Sequence, residues 1–316
     1  MLFLGDQLSE IPVWLHENGR KLGSILAAQH IPHAILFSGS EGIGKSEMAK
    51  MFSKALLCNS NIKLPCDNCK SCNLFDHHTH GDFLYVSFED SKNNIGVDQV
   101  RNAILFSNKT SAFSYRKVLL INPAEKLQKN ASNAILKVLE EPPENTIIIL
   151  VSSRDGNLPA TIHSRCFRLE FSPPDYQAAY RWLSERLPDE SEFSKSIALS
   201  LRQPLEALTL TKTKEFDKLI TTLSPSASKI GLDIPLLRSL AKQRNPNKLF
   251  LEYLCLQLEK FLKEAQLASL NTHTSKHIFE CQSQLRSLIA KVDQGIALNI
   301  SLNFSNIVNK LLKIME

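Results

Sequence analysis

Residues Gly39-Ser40-Glu41-Gly42-Ile43-Gly44-Lys45-Ser46 follow directly on the apolar run Ala34–Ser38 and lead directly into the amphipathic stretch Lys45–Leu57. Strand, glycine-rich loop and helix in that order form a complete P-loop. Gly39, Gly42 and Gly44 let backbone N–H groups wrap a phosphate chain at a helix N-terminus. Lys45 is placed to reach the β and γ phosphates, and the Ser46 hydroxyl to hold Mg²⁺. The implied cofactor is ATP with Mg²⁺. A vestigial loop with little occupancy is the bland alternative.

Hydrolysis asks for more than a cradle. The second strand of such a site usually ends in an Asp that completes the metal shell, followed by a Glu that orients the attacking water. The matching run here is Lys117-Val-Leu-Leu-Ile-Asn122-Pro123-Ala-Glu125. Asn122 brings no charge to a divalent ion, and Pro123 has no group with which to position a nucleophile. Glu125 is the nearby carboxylate, and from its position it is expected to face solvent. The expectation is no turnover by this chain alone, whether or not the cradle holds nucleotide.

Cys58, Cys66, Cys69 and Cys72 form a C-x7-C-x2-C-x2-C pattern, four thiolates close enough in sequence to wrap one tetrahedral ion. Structural Zn²⁺ is the expected occupant. A three-cysteine site completed by His77, His78 or His80, an iron–sulfur centre and unmetallated thiols are the other readings. Four sulfur ligands leave no open position for chemistry, so the metal would staple a loop inserted between the P-loop helix and the second strand. Cys166, Cys255 and Cys281 stand singly in apolar surroundings and read as buried thiols.

Thr161-Ile-His-Ser164-Arg165-Cys166 precedes the run Phe167–Phe171. In ring-forming P-loop oligomers, an arginine in such a place reaches the neighbouring subunit's γ-phosphate and stabilises the charge that spreads there during transfer. The bland reading of Arg165 is a structural arginine capping a helix before a strand.

The elements that must position these groups are legible in the hydrophobic pattern. Ala34–Ser38, Phe83–Phe88, Lys117–Asn122, Thr146–Ser152 and Phe167–Phe171 read as buried strands, with helical periodicity over Lys45–Leu57, Val97–Asn108 and Asn130–Leu139 between them. Alternating strand and helix predicts a parallel sheet covered on both faces. After Phe171, Ser172-Pro173-Pro174 breaks the pattern and the chain reads as helical. Three short helices are expected over Asp175–Leu210, a hinge or loop at Leu223–Gly231, and longer helices over Asn247–Ala268 and Ser275–Val292.

The 316 residues are 43% hydrophobic and 22% charged, with a formal net charge of +5 spread along the chain. That permits contact with nucleic acid without forming a basic stripe. No apolar run is long enough to span a membrane. The segment Met1–Pro12 acquires acids and a proline before a signal-peptide core forms. A cytoplasmic protein is expected.

Taken together, the P-loop, the four-cysteine insert, Asn133-Ala-Ile-Leu-Lys137-Val-Leu-Glu140-Glu141-Pro142-Pro143 and Ser164-Arg165-Cys166 resemble the bacterial clamp-loader ATPases of DNA polymerase III over roughly Ile31–Phe171. His80-Gly-Asp-Phe83 falls where that family tends to have His-Pro-Asp. The resemblance implies a RecA-like α/β AAA+ domain with its zinc-binding insert at 58–72 over residues 1–171, a three-helix lid over 172–212 and an all-α collar over 213–316. Within the family, the neutral Asn122-Pro123 pair points to a δ′-type subunit over a γ/τ-type motor. So does Leu205, in Arg202-Gln-Pro-Leu205, where a motor's lid carries a sensing arginine. Ser153 takes the sensor-one place.

On this resemblance Arg165 is an arginine finger working in trans, positioned by Ser164 and Cys166. The implied partners are γ/τ motor and δ subunits in a hetero-pentamer, with the sliding clamp and primed DNA reached through the complex. Two other classes compete: a self-sufficient ATPase motor of the same family, with Glu125 or a displaced acid replacing the missing pair, and a nucleotide-independent scaffold. Polymerase activity does not belong to this polypeptide, which has no spaced acidic pair in a polymerase context.

Overall fold

The computed structural model describes residues 11–28, 30–60, 65–88, 94–153, 158–223, 248–267, 272–293 and 299–315. Residues 1–10, most of the segment Met1–Pro12, and most of the expected hinge at Leu223–Gly231 lie outside them.

Five parallel strands form one sheet in the order β2-β3-β4-β1-β5. They are β1 (Ala34–Gly39), β2 (Phe83–Val86), β3 (Lys117–Ile121), β4 (Thr146–Ser152) and β5 (Phe167–Phe171). The five expected strands are all present, with β2 two residues shorter than its apolar pattern. Register pairs Ser38 with Ser152 across β1 and β4, and Ile121 with Leu150 across β3 and β4.

Alternate residues of each strand face opposite sides, and both sides are dry. Ile35, Phe37, Val118, Leu120, Ile147 and Ile149 pack on one face, whereas Leu36, Leu119, Ile121, Ile148 and Leu150 pack on the other. This two-sided burial is why the strands read as unbroken apolar runs instead of alternating ones. The first face is covered by α1 (His16–Ala27) and α2 (Lys45–Leu57), the second by α4 (Val97–Ser107) and α5 (Lys129–Glu140). The short α3 (Lys70–Asp76) and α6 (Ala160–His163) lie between these elements in sequence.

The chain divides into two compact units at Trp182 and Leu183, within the helix α7 (Tyr176–Arg186). The regular elements described in the second unit are all helices: α8 (Glu192–Leu201), α9 (Pro204–Leu210), α10 (Lys214–Leu223), α11 (Lys248–Leu267), α12 (Thr272–Asp293) and α13 (Ile300–Met315). Pro204 starts α9 at a position where its missing N–H costs nothing. Phe216, Phe250, Leu254, Leu258, Ile278, Leu285 and Phe304 form its buried interior. Among the described residues, no helix is long and apolar enough to cross a membrane.

Candidate functional site

Residues at the carboxyl ends of β1, β3 and β4 converge, as they do wherever a parallel sheet presents its strand ends to a ligand. Gly39 turns the chain out of β1 with φ +148°, and a Cβ there would sit 2.2 Å from the carbonyl oxygen of Phe171 on β5. Gly44, at φ 103°, is the residue from which α2 starts. The loop is also gripped from outside: Trp14 donates its indole N–H to the carbonyl of Ile43 at 2.9 Å.

Lys45 is 3% exposed. Its ammonium donates to the Ser40 carbonyl at 2.5 Å and to Ser153 Oγ at 3.1 Å. Ser153 follows β4, so the residue expected to sense phosphate is bonded to the lysine expected to bind it. Ser46 Oγ accepts from Asn122 Nδ2 at 3.1 Å, and the same amide donates to the Tyr85 hydroxyl at 3.1 Å. Asn122 therefore occupies the place beside the P-loop serine that its sequence position implied.

Glu125 corrects the sequence reading. Instead of facing solvent, its carboxylate turns inward: Oε1 accepts the backbone N–H of Ser153 at 3.1 Å, and Oε2 is buried with no hydrogen-bond partner among the described residues. The reason is local. Ala124–Lys126 form a 3₁₀ turn whose Ala124 is fully buried, and a tight turn directs side chains differently from the strand before it.

The four cysteines meet. The Sγ atoms of Cys58, Cys66, Cys69 and Cys72 all lie within 4.8 Å of one another, with Cys58 to Cys69 at 3.9 Å and Cys66 to Cys72 at 4.0 Å. Zinc–sulfur bonds of about 2.3 Å in a tetrahedron put sulfurs about 3.8 Å apart, so this donor set fits a four-sulfur metal site. Backbone N–H groups of Asn68 and Cys69 hold the Cys66 thiol down at about 6, which favours the thiolate a metal requires. His77, His78 and His80 are not among the converging ligand atoms. Lys54 of α2 braces the module from outside, pairing with Asp67 at 2.5 Å and Asp76 at 2.8 Å.

A buried polar network that the sequence reading did not find ties this module to the sheet. His80 Nδ1 accepts the N–H of Asp82 at 3.0 Å, so its Nε2 carries the proton and donates to Ser71 Oγ at 2.8 Å. The Ser71 and Ser114 hydroxyls in turn donate to the carbonyl of Leu57, at 2.6 and 2.9 Å, at the end of α2. Ser and His side by side suggest nucleophilic catalysis, but the tautomer is wrong for it: the imidazole donates to the serine and cannot take its proton. Asp82, fully buried, accepts the N–H groups of Ala112, Phe113 and Ser114 and lies 3.6 Å from the buried Lys117 ammonium. The one signal in the sequence was His80-Gly-Asp82 itself.

Arg165 lies just after α6. Its guanidinium donates to the Thr161 carbonyl at 3.0 Å and to Ser164 Oγ at 3.2 Å, and pairs with Glu140 Oε1 at 2.5 Å. Cys166 packs against the second core face, and burial pushes its thiol up to about 12. In the second unit, Leu205 is half-buried on α9, while Arg202 pairs with Glu252 at 2.6 Å.

Residues 16–175, just over half of the chain, match the family model described as DNA polymerase III, delta subunit. The chain belongs to that family. A subunit delta′ of DNA polymerase III from Pseudomonas aeruginosa is 37% identical over 203 residues, 63% of this chain and 61% of that protein. The Escherichia coli subunit delta′ is 33% identical over 199 residues, 62% of this chain and 60% of that one. A subunit tau from Bacillus subtilis is 37% identical over 163 residues, which cover 50% of this chain but only 28% of tau. This member of the delta family thus aligns with about three fifths of the length of its delta′ relatives. A solved gamma subunit-related protein of Thermotoga maritima overlays at a TM-score of 0.45 and 19% identity, over 94% of this chain and 99% of that one. The δ′-type resemblance read from Asn122-Pro123 agrees with the family match and with the delta′ relatives.

Proposed function

We propose that this chain is a δ′-type subunit of a DNA polymerase III clamp loader, an AAA+ protein that does not turn over ATP itself and completes the ATP site of a neighbouring motor with Arg165. The observation that carries this reading is the pairing at the end of β3: a neutral Asn122 lies against Ser46, with Pro123 next in the chain, beside a complete glycine-rich cradle. Charge for a metal shell and a base for water are missing where a motor needs them.

The division of labour follows. Residues 1–171 form the AAA+ domain, with Cys58, Cys66, Cys69 and Cys72 holding a structural Zn²⁺. Residues 172–212 serve as the lid, and 213–316 as the collar that assembles with γ/τ and δ subunits in a hetero-pentamer. The sliding clamp and primed DNA are reached through that complex. Gly39, Gly42, Gly44, Lys45, Ser46 and Ser153 form the nucleotide cradle, and Ser164 and Cys166 position Arg165.

One observation favours the scaffold reading: Arg165 already caps α6 through Thr161 and pairs with Glu140. The two readings separate in a reconstituted loader. An arginine finger is worth about 10³–10⁵ in kcat at its own site, so Arg165→Ala is expected to lower DNA-dependent ATP turnover while leaving assembly intact. Unchanged turnover would leave the scaffold as the function.

A further inference from the structure

In a P-loop the serine after the lysine offers its hydroxyl to Mg²⁺, and here that hydroxyl is engaged by the side chain of Asn122. The amide is neutral whichever of its ends faces Ser46. Its other contact is the hydroxyl of Tyr85, on the neighbouring strand β2. The ring of Tyr85 lies under the Lys50 ammonium, 5.5 Å from its centroid. Lys50 stands four residues beyond Ser46 on α2, so the two share one face of that helix.

The chain Ser46–Asn122–Tyr85–Lys50 therefore begins at the hydroxyl on which a metal shell is normally built, runs through neutral groups and ends in a cation. Mg²⁺ is usually held by one or two carboxylates together with phosphate oxygens and water. Pro123 contributes no oxygen from its side chain; Glu125 Oε1 is committed to the amide of Ser153, and its Oε2 is buried, with no exposed surface through which to meet an ion. Among the described residues, no carboxylate is hydrogen-bonded to Ser46. These residues do not fit a divalent ion.

We infer that the Gly39–Ser46 cradle takes a nucleoside polyphosphate without a divalent cation, its charge met by Lys45. The inference rests on reading Gly39–Ser46 as a nucleotide site. It does not depend on Arg165, which acts on a different subunit's nucleotide.

The test is calorimetric titration of the full chain with ADP, once in excess EDTA and once in millimolar Mg²⁺. The expected result is binding in both media with dissociation constants that agree within about threefold, and loss of binding in both for Lys45→Ala. Affinity that falls about tenfold or more in EDTA would overturn the inference, because the site would then depend on the metal. Absence of binding in both media would overturn it as well, and would leave the Arg165 reading standing. Asn122→Asp is expected to install the missing charge, so that Mg²⁺ strengthens ADP binding about tenfold in that variant. Indifference of Asn122→Asp to Mg²⁺ would overturn the inference, because the neutral amide against Ser46 would then not be what keeps the metal out.

Discussion

Glu140, the last residue of α5, holds Arg165, just beyond α6, through a 2.5 Å ion pair, and the arginine keeps 32% of its side chain exposed. The pair joins the two sequence features that looked most like family signatures, the Asn133–Pro143 run and Ser164-Arg165-Cys166. In the isolated chain the guanidinium is parked, and to meet a phosphate on a neighbour it must exchange one anion for another. Exposed ion pairs contribute only about 0–1 kcal/mol, so Glu140 is easily displaced.

Glu140→Gln is accordingly expected to change the stability of the chain by less than about 1 kcal/mol, measured by urea unfolding, and to leave loader ATP turnover at or above the unaltered level. Arg165→Lys should behave much like Arg165→Ala in the reconstituted complex. An ammonium keeps the charge but lacks the planar fork that bonds two phosphate oxygens at once. A lysine variant with full turnover would mean that Arg165 supplies charge alone.

The four-cysteine module is expected to carry one Zn²⁺ per chain when metal is counted by mass spectrometry on purified protein. Cys66→Ser and Cys69→Ser should each lose it and lower the melting temperature, because binding of a structural zinc is linked to folding of the loop around it. Cys166→Ser keeps the full metal content, since Cys166 stands outside the cluster. Iron recovered in place of zinc would redirect the assignment to an iron–sulfur centre.

Asp82 makes the acid limb of stability predictable. Burial opposes its ionisation, but the amides of Ala112, Phe113 and Ser114 and the charge of Lys117 overcome that and hold the carboxyl below its ordinary value of 3.8. A group depressed in the folded state stabilises fully above its unfolded value, and that contribution fades as pH falls through the folded one. Asp82→Asn should remove this part of the acid dependence, read as melting temperature against pH. At neutral pH it should cost about 3–5 kcal/mol, because Lys117 is left buried without its counter-charge. His80, lowered chiefly by burial, loses stability on acidification in the same direction but starting nearer neutrality, so the two limbs separate.

Much of this architecture was legible because it rests on local rules. Two-sided burial writes strands as apolar runs, a P-loop needs its glycines in fixed places, and the spacing of Cys66, Cys69 and Cys72 is the spacing of a metal knuckle. The Asp82–Lys117 pair and the bonds from Ser71 and Ser114 to Leu57 were not legible. They join residues 35, 14 and 57 positions apart, and nothing in their local pattern marks them as partners. Nothing in the local pattern marks Lys54 of α2 either, although it braces both flanks of the cysteine loop.

Glu125 was the misread residue, and it decides between a silent cradle and a hidden motor. Its Oε1 fixes the amide of Ser153, whose hydroxyl accepts from Lys45, so the carboxylate is linked to the P-loop lysine through one residue. In a positioning role the oxygen matters and the charge does not. Glu125→Gln keeps an oxygen for the Ser153 amide and should preserve both stability and ADP affinity, whereas Glu125→Ala leaves that amide without its acceptor and should cost about 1–3 kcal/mol, with weaker ADP binding. As a hydrolytic base Glu125 would behave differently: the isolated chain would turn over ATP, and Glu125→Gln would abolish that turnover while leaving binding intact. The expected outcome is no turnover by the isolated chain, with or without primed DNA, and a Gln variant indistinguishable from the parent in binding. Turnover that disappears with either Lys45→Ala or Glu125→Gln would make this chain a motor whose base had moved from the end of β3 to the turn that follows it.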